Sequence, residues 1–155
     1  MIDIEVKAPN FSLFDTDRKE RSLDEFKGKK VVLAFFPGAF TGACTKEMCA
    51  LRDAMANFNE MNAQVVGVSV DSPFANKAFA DANKLSFPLL SDYKREVSQT
   101  YCGLYNDFAG LKDYRAAKRS VFVLDQSGVV KYKWITEEPG KEPPYDEITN
   151  ILNTF

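Results

Sequence analysis

The chain has 155 residues, a hydrophobic share of 45% and a formal net charge of −2 with both signs interspersed, which fits one domain over 1–155 with a substantial core. That balance leaves no basic footprint for nucleic acid, and no run approaches the roughly 18 apolar residues of a membrane span. Three cysteines make an odd count that does not suit an extracellular disulfide framework, and the absence of histidine excludes Ser-His-Asp and Cys-His catalysis and histidine-containing zinc sites. Asp3 and Glu5 stand at the N-terminus with no apolar h-region, so no secretory signal is expected and cytoplasmic residence is the default.

Taken along the chain, Phe11 to Phe14 and Glu20 to Leu23 flank Asp15-Thr16-Asp17-Arg18 and read as an N-terminal β-hairpin. Lys30 to Phe36 is apolar and rich in β-branched residues, a buried central strand closed by Pro37 and Gly38. From Gly42 to about Met61, apolar residues at Met48, Leu51, Met55 and Phe58 have helical spacing. Val65 to Val70 is a second central strand ending at Asp71-Ser72-Pro73, where Ser72 can cap a helix with Pro73 at its first position. That helix runs to about Lys84. A short strand over Phe87 to Leu90 and a short helix over Tyr93 to Tyr101 follow. Ser120 to Asp125 and Val129 to Ile135 form a hairpin through Gln126-Ser127-Gly128, Pro139 to Pro144 is a loop, and Tyr145 to Leu152 is a closing helix. Alternating strands and helices with a terminal hairpin describe an α/β fold, a mixed central sheet flanked by helices. A thioredoxin-like arrangement is the candidate, although its topology does not follow from this pattern alone.

Chemistry concentrates where the first central strand enters its helix. Cys44 falls in the first helical turn, where unpaired N–H groups and the positive end of the dipole favour a thiolate. With no histidine as base, something other than imidazole must lower its pKa. Thr41, three residues earlier, can bring its hydroxyl beside the sulfur, and Pro37 restricts the loop and covers the site. Plainer readings exist for the same residues: Thr41 as an N-cap, Cys49 as a small core residue, Glu47 as a helix-surface charge, and Cys102 as a structural thiol.

The stretch Pro37-x-x-x-Thr41-x-x-Cys44 resembles the active-site signature of the peroxiredoxins. Cys44-Thr45-Lys46-Glu47-Met48-Cys49 is similar to the peroxiredoxin Q group, also called bacterioferritin-comigratory proteins, in which a second Cys commonly follows five positions after the first. Ala39-Phe40-Thr41-Gly42 departs from that group's usual loop and leans toward the AhpE-type group. Arg119, in Lys118-Arg119-Ser120-Val121, matches the family's arginine before a core strand, and the likeness runs from Ala8 to Trp134.

The resemblance implies a thioredoxin-like fold and a thiol-dependent peroxidase that needs no cofactor and acts on hydrogen peroxide and organic hydroperoxides. It makes Cys44 the nucleophile that becomes a sulfenic acid, with Thr41, Arg119 and the N–H groups of Ala43 and Cys44 holding the peroxide. Glu47 would orient Arg119 or a second loop arginine, and the plain alternative for Arg119 is a surface charge. Cys49 would resolve the sulfenic acid through an intramolecular disulfide, and a thioredoxin-like or glutaredoxin-like reductant would recycle it. The chain ends soon after its last helix, without the long C-terminal arm of the obligate-dimer peroxiredoxins, so a monomer or weak homodimer is expected. Rival readings are a protein disulfide oxidoreductase, which would need C-x-x-C at the helix start, a one-Cys peroxidase with Cys49 structural, and a non-enzymatic interaction protein.

Overall fold

The run Lys30-Val31-Val32-Leu33-Ala34-Phe35 is buried at every position, as a strand must be when helices or loops cover both faces of its sheet. A computed structural model describes residues 1–155 and places this strand, β3, near the centre. Before it lie β1 (Ser12–Phe14) and β2 (Glu20–Ser22). After it come α1 (Gly42–Glu60), β4 (Ala63–Ser69), α2 (Pro73–Asn83), β5 (Leu89–Ser91), α3 (Glu96–Tyr101), β6 (Leu104–Tyr105) and β7 (Ala116–Ala117). β8 (Ser120–Leu124), β9 (Val130–Ile135) and α4 (Tyr145–Leu152) complete the chain. The main sheet has the order β2-β1-β5-β4-β3-β8-β9. β3, β4 and β5 are parallel, while β1, β2, β8 and β9 join antiparallel, giving the mixed sheet expected.

Strand alternation sorts the core into two layers. Val31, Leu33 and Phe35 face the layer containing Phe11, Leu23 and Tyr101, from the hairpin side and α3. Val32, Ala34 and Phe36 face Met48 and Leu51 of α1, Phe79 of α2, and Ile148 and Leu152 of α4. Each fully buried Leu or Phe contributes about 1.5–3 kcal/mol relative to exposure. Packing around Gly67 of β4 leaves no room for a side chain: a Cβ there would stand 2.6 Å from a Leu89 methyl group of β5, with the Met48 sulfur of α1 in contact at 3.7 Å. Lys30 fixes the far end, donating from Nζ to the last-turn carbonyl of Leu152 at 2.8 Å.

The elements differ from expectation mainly at their ends. Leu23 opens a 3-10 turn, Leu23–Phe26, rather than ending β2, because Ser22 and Glu25 form a capping box there. β5 starts at Leu89 rather than Phe87, since Pro88 has no N–H to give a ladder. α3 starts at Glu96 rather than Tyr93: Arg95 sits at φ 67°, and the Asp92 carboxylate accepts from the N–H groups of Val97 at 3.3 Å and Ser98 at 2.7 Å. The two-residue strands β6 and β7 and a 3-10 turn at Phe108–Gly110 were not foreseen.

Candidate active site

β3 delivers the chain to Pro37 and Gly38, both buried, at the C-terminal edge of the sheet. The next residues must reverse into α1, and Phe40 does so at φ 66°, a left-handed conformation that costs a non-glycine residue of order 1–3 kcal/mol. Its ring is 58% exposed but lies edge-on to Phe79 of α2, with centroids 5.2 Å apart. Thr41 has the extended backbone of an N-cap, yet its hydroxyl makes no capping bond. It donates instead to the Gly38 carbonyl at 2.8 Å, closing the loop on itself. The N-cap alternative for this side chain is therefore set aside.

Cys44 sits one turn into α1 and is 0% exposed. The leading N–H groups of a helix have no carbonyl partners within it, so donors and the positive dipole end converge on this sulfur. Burial nevertheless has the largest influence on the thiol and pushes its pKa above the ordinary value. The charge of Arg119, the largest opposing influence, and the Gly38 backbone pull it down without offsetting burial. The lowered pKa expected from sequence does not describe this closed loop, because complete enclosure of the sulfur outweighs its polar neighbours.

Arg119 is not a surface charge. The bend between β7 and β8 turns it inward, and its side chain is 1% exposed. One terminal nitrogen donates to Glu47 Oε1 at 2.8 Å, while Nε and the other terminal nitrogen donate to the Pro139 carbonyl at 2.9 and 2.6 Å. Its own N–H donates to the Tyr105 hydroxyl at 3.2 Å. Glu47, one turn beyond Cys44, is 0% exposed, so the helix-surface alternative fails as well. Burial pushes the Glu47 carboxyl up to about 7, against the charge and hydrogen bond of Arg119. One guanidinium thus faces two acids, Cys44 and Glu47, and electrostatics couples their protons: a charge on one disfavours a charge on the other.

Of the residues singled out from sequence, Pro37, Thr41, Cys44, Glu47 and Arg119 meet here. Cys49 does not. It lies farther along α1, half-buried, with its thiol directed to Asn83 Oδ1 at 3.6 Å. Cys102 is in the opposite core layer, its thiol turned to the Ser98 carbonyl at 3.4 Å and its pKa pushed up to about 12 by burial. Sequence reasoning missed the carbonyls of Gly38 and Pro139, which orient Thr41 and Arg119. A backbone acceptor leaves no mark in residue type, and only the prolines and glycine beside them hinted at fixed backbone.

This site brings together a buried sulfur, a fixed hydroxyl and a fixed cation, a set able to stabilise charge developing on a small oxidant. The AhpC/TSA family matches residues 4–133. The chain is 43% identical over 124 residues to a chloroplastic peroxiredoxin Q of Triticum aestivum, covering 80% of this chain and 55% of that protein, so it spans little more than half of that relative. It is 36% identical over 133 residues to a putative peroxiredoxin bcp of Coxiella burnetii, covering 86% and 88% of the two chains. The crystal structure of peroxidoxin BcpB from Mycobacterium tuberculosis superposes with a TM-score of 0.87 at 29% identity, covering 100% of this chain and 99% of that one. The thioredoxin-like peroxiredoxin fold expected from sequence is the fold observed. On the strength of that match across most of its length, the chain belongs to the AhpC/TSA family, the peroxiredoxins.

Proposed function

We propose that this chain is a thiol peroxidase acting through Cys44. The observation that carries the reading is the convergence of Cys44, Thr41 and the enclosed Arg119 at the N-terminus of α1. The Cys44 thiolate attacks one oxygen of a hydroperoxide. The S–O bond forms as the O–O bond breaks, giving a Cys44 sulfenic acid and an alcohol or water once the departing oxygen takes a proton. Arg119 and the first-turn N–H groups stabilise the charge on that oxygen, and Glu47 holds Arg119 in place. Pro37 keeps the loop closed over the sulfur. Cys49 then attacks the sulfenic sulfur, releasing water and leaving a Cys44–Cys49 disulfide. A thioredoxin-like or glutaredoxin-like dithiol reduces that disulfide and returns both thiols.

The enclosure of Cys44 speaks against a protein disulfide oxidoreductase, whose attacking sulfur must reach a partner protein's disulfide. Three free cysteines suit a reducing, cytoplasmic setting, with 1–155 acting as one domain and as a monomer or weak homodimer. The placement of Cys49 on the same intact helix favours one competing version, in which Cys49 is structural and an external thiol resolves the sulfenic acid. Peptide mapping after one equivalent of hydrogen peroxide separates the two. A Cys44–Cys49 linkage is expected. A persistent Cys44 sulfenic acid with Cys49 still reduced would favour the one-Cys version.

A further inference from the structure

We propose that Asp71 is a positioning residue for the peroxide site, acting on Thr41 through the Gly38–Ala39 peptide. Asp71 directly follows β4 and Val70, a full strand width from β3, and touches none of the residues assigned to the chemistry. Its carboxylate nevertheless crosses to the active-site loop: Oδ2 accepts from the Ala39 N–H at 2.8 Å. The same oxygen accepts from the buried Ser69 hydroxyl at 2.8 Å, and the Asp71 N–H donates back to that hydroxyl at 3.3 Å. Ser69 also lies 3.2 Å from Asn76 Oδ1 of α2, and Ser91 of β5 donates to the Asp71 carbonyl. Ser69 thus holds the carboxylate oxygen against the loop amide, while Ser91 fixes the Asp71 main chain and Asn76 lies against Ser69.

The importance of that amide comes from peptide planarity. The Ala39 N–H and the Gly38 C=O belong to a single rigid trans unit, so fixing the first fixes the direction of the second. The Gly38 carbonyl is the acceptor for the Thr41 hydroxyl. A threonine hydroxyl has one proton, and when that proton is committed to Gly38 the oxygen is left with acceptor capacity. Thr41 is then prepared to accept the O–H of a hydroperoxide beside Cys44. A charge-assisted bond to the N–H also polarises the peptide and strengthens the carbonyl as an acceptor. Phe40, the next residue, is held at φ 66°. Without an anchor at Ala39 the strained turn is free to relax, the peptide plane to rotate and the Thr41 hydroxyl to lose its fixed direction.

This role rests on the peroxidase reading, and the test keeps the two apart. Single-turnover loss of the Cys44 thiol with hydrogen peroxide is measured for the wild type, Asp71→Ala, Asp71→Asn, Thr41→Val and the double variant Asp71→Ala/Thr41→Val. Amide exchange at Ala39 is followed in parallel. Asp71→Ala is expected to slow the reaction about 10- to 100-fold, the scale of a misplaced catalytic group. Asp71→Asn keeps an acceptor oxygen and should recover most of that rate. In the Thr41→Val background, Asp71→Ala should change the rate by less than about threefold, because the group it positions is gone. Equal losses with and without Thr41, an Asn variant as slow as the Ala variant, or an Ala variant at the wild-type rate would each overturn the proposal. If the wild type fails to consume peroxide, the peroxidase reading falls, and the clamp is judged on exchange alone. Faster exchange at Ala39 in Asp71→Ala but not in Asp71→Asn would sustain the clamp, and unchanged exchange would overturn it.

Discussion

Arg119→Met should weaken the fold as well as slow the chemistry, and the size of the first effect follows from what Arg119 holds. Its guanidinium is the only hydrogen-bond partner of Glu47 Oε1, at 2.8 Å, and Oε2 of the same buried carboxylate has none. The Pro139 carbonyl loses two donors, at 2.9 and 2.6 Å. Methionine fills much of the arginine stem, so the main penalty is an unpartnered buried carboxylate, about 3–5 kcal/mol when one member of a buried pair is removed. Glu47 can escape part of this by taking up a proton. Its folded pKa, about 7, already lies above the ordinary 4.5, so the folded state binds that proton more tightly than the unfolded state. Stability therefore falls as pH rises from 4.5 through about 7, and removing Arg119 extends the fall to higher pH. Urea unfolding below and above this window should show a small deficit for Arg119→Met at the acid end and the full deficit at the alkaline end. Adding Glu47→Gln to Arg119→Met should recover much of the alkaline loss. A deficit under about 1 kcal/mol, the scale of an exposed ion pair, or no recovery from Glu47→Gln, would refute the reasoning.

Three further expectations come from the same geometry. Glu47→Gln removes an anion that competes with Cys44 for Arg119, so the pH midpoint of Cys44 thiolate absorbance should move down; an unchanged midpoint would show that the two acids are not coupled. Cys44 and Cys49 both lie within α1, and residues five apart on an intact helix have Cα atoms about 8.5 Å apart, beyond the roughly 4.4–6.8 Å of a disulfide. Forming that bond must unwind the first turn, so oxidation should speed amide exchange from Ala43 to Cys49 while β3 and β4 stay protected; retained protection with the disulfide formed would refute this. The Cys102 thiol, pushed up to about 12 by burial, should resist alkylation in the native protein at pH values where Cys49 reacts, and equal labelling would contradict its placement.

The parts legible in the sequence were those that residue type encodes. The unbroken apolar, β-branched run from Lys30 to Phe36 marked β3 as a buried central strand, and the spacing of Met48, Leu51, Met55 and Phe58 marked α1. Pro37, Thr41 and Cys44 could be placed together because they are close along one strand–turn–helix unit. The depth of Arg119 and Glu47 was not legible: both are charged residues that composition assigns to the surface, and only the fold of β8 against α1 encloses them. Asp71 was read as the end of a strand, because the amide it holds is 32 residues away in sequence. The rise in the Cys44 pKa was missed for a related reason, since a helix N-terminus can be inferred from sequence but the closure of a loop over it cannot.

The central claim is that Cys44, fixed by Thr41 and Arg119, is the atom that peroxide oxidises. Stopped-flow mixing with one equivalent of hydrogen peroxide, followed by quenching and mass analysis of each cysteine, tests it most directly. The account predicts rapid stoichiometric loss of the Cys44 thiol, no reaction in Cys44→Ser, and a slow but complete reaction in a folded Thr41→Val protein. Oxidation that begins at Cys49 or Cys102, or that proceeds at the same rate in Cys44→Ser, would contradict it.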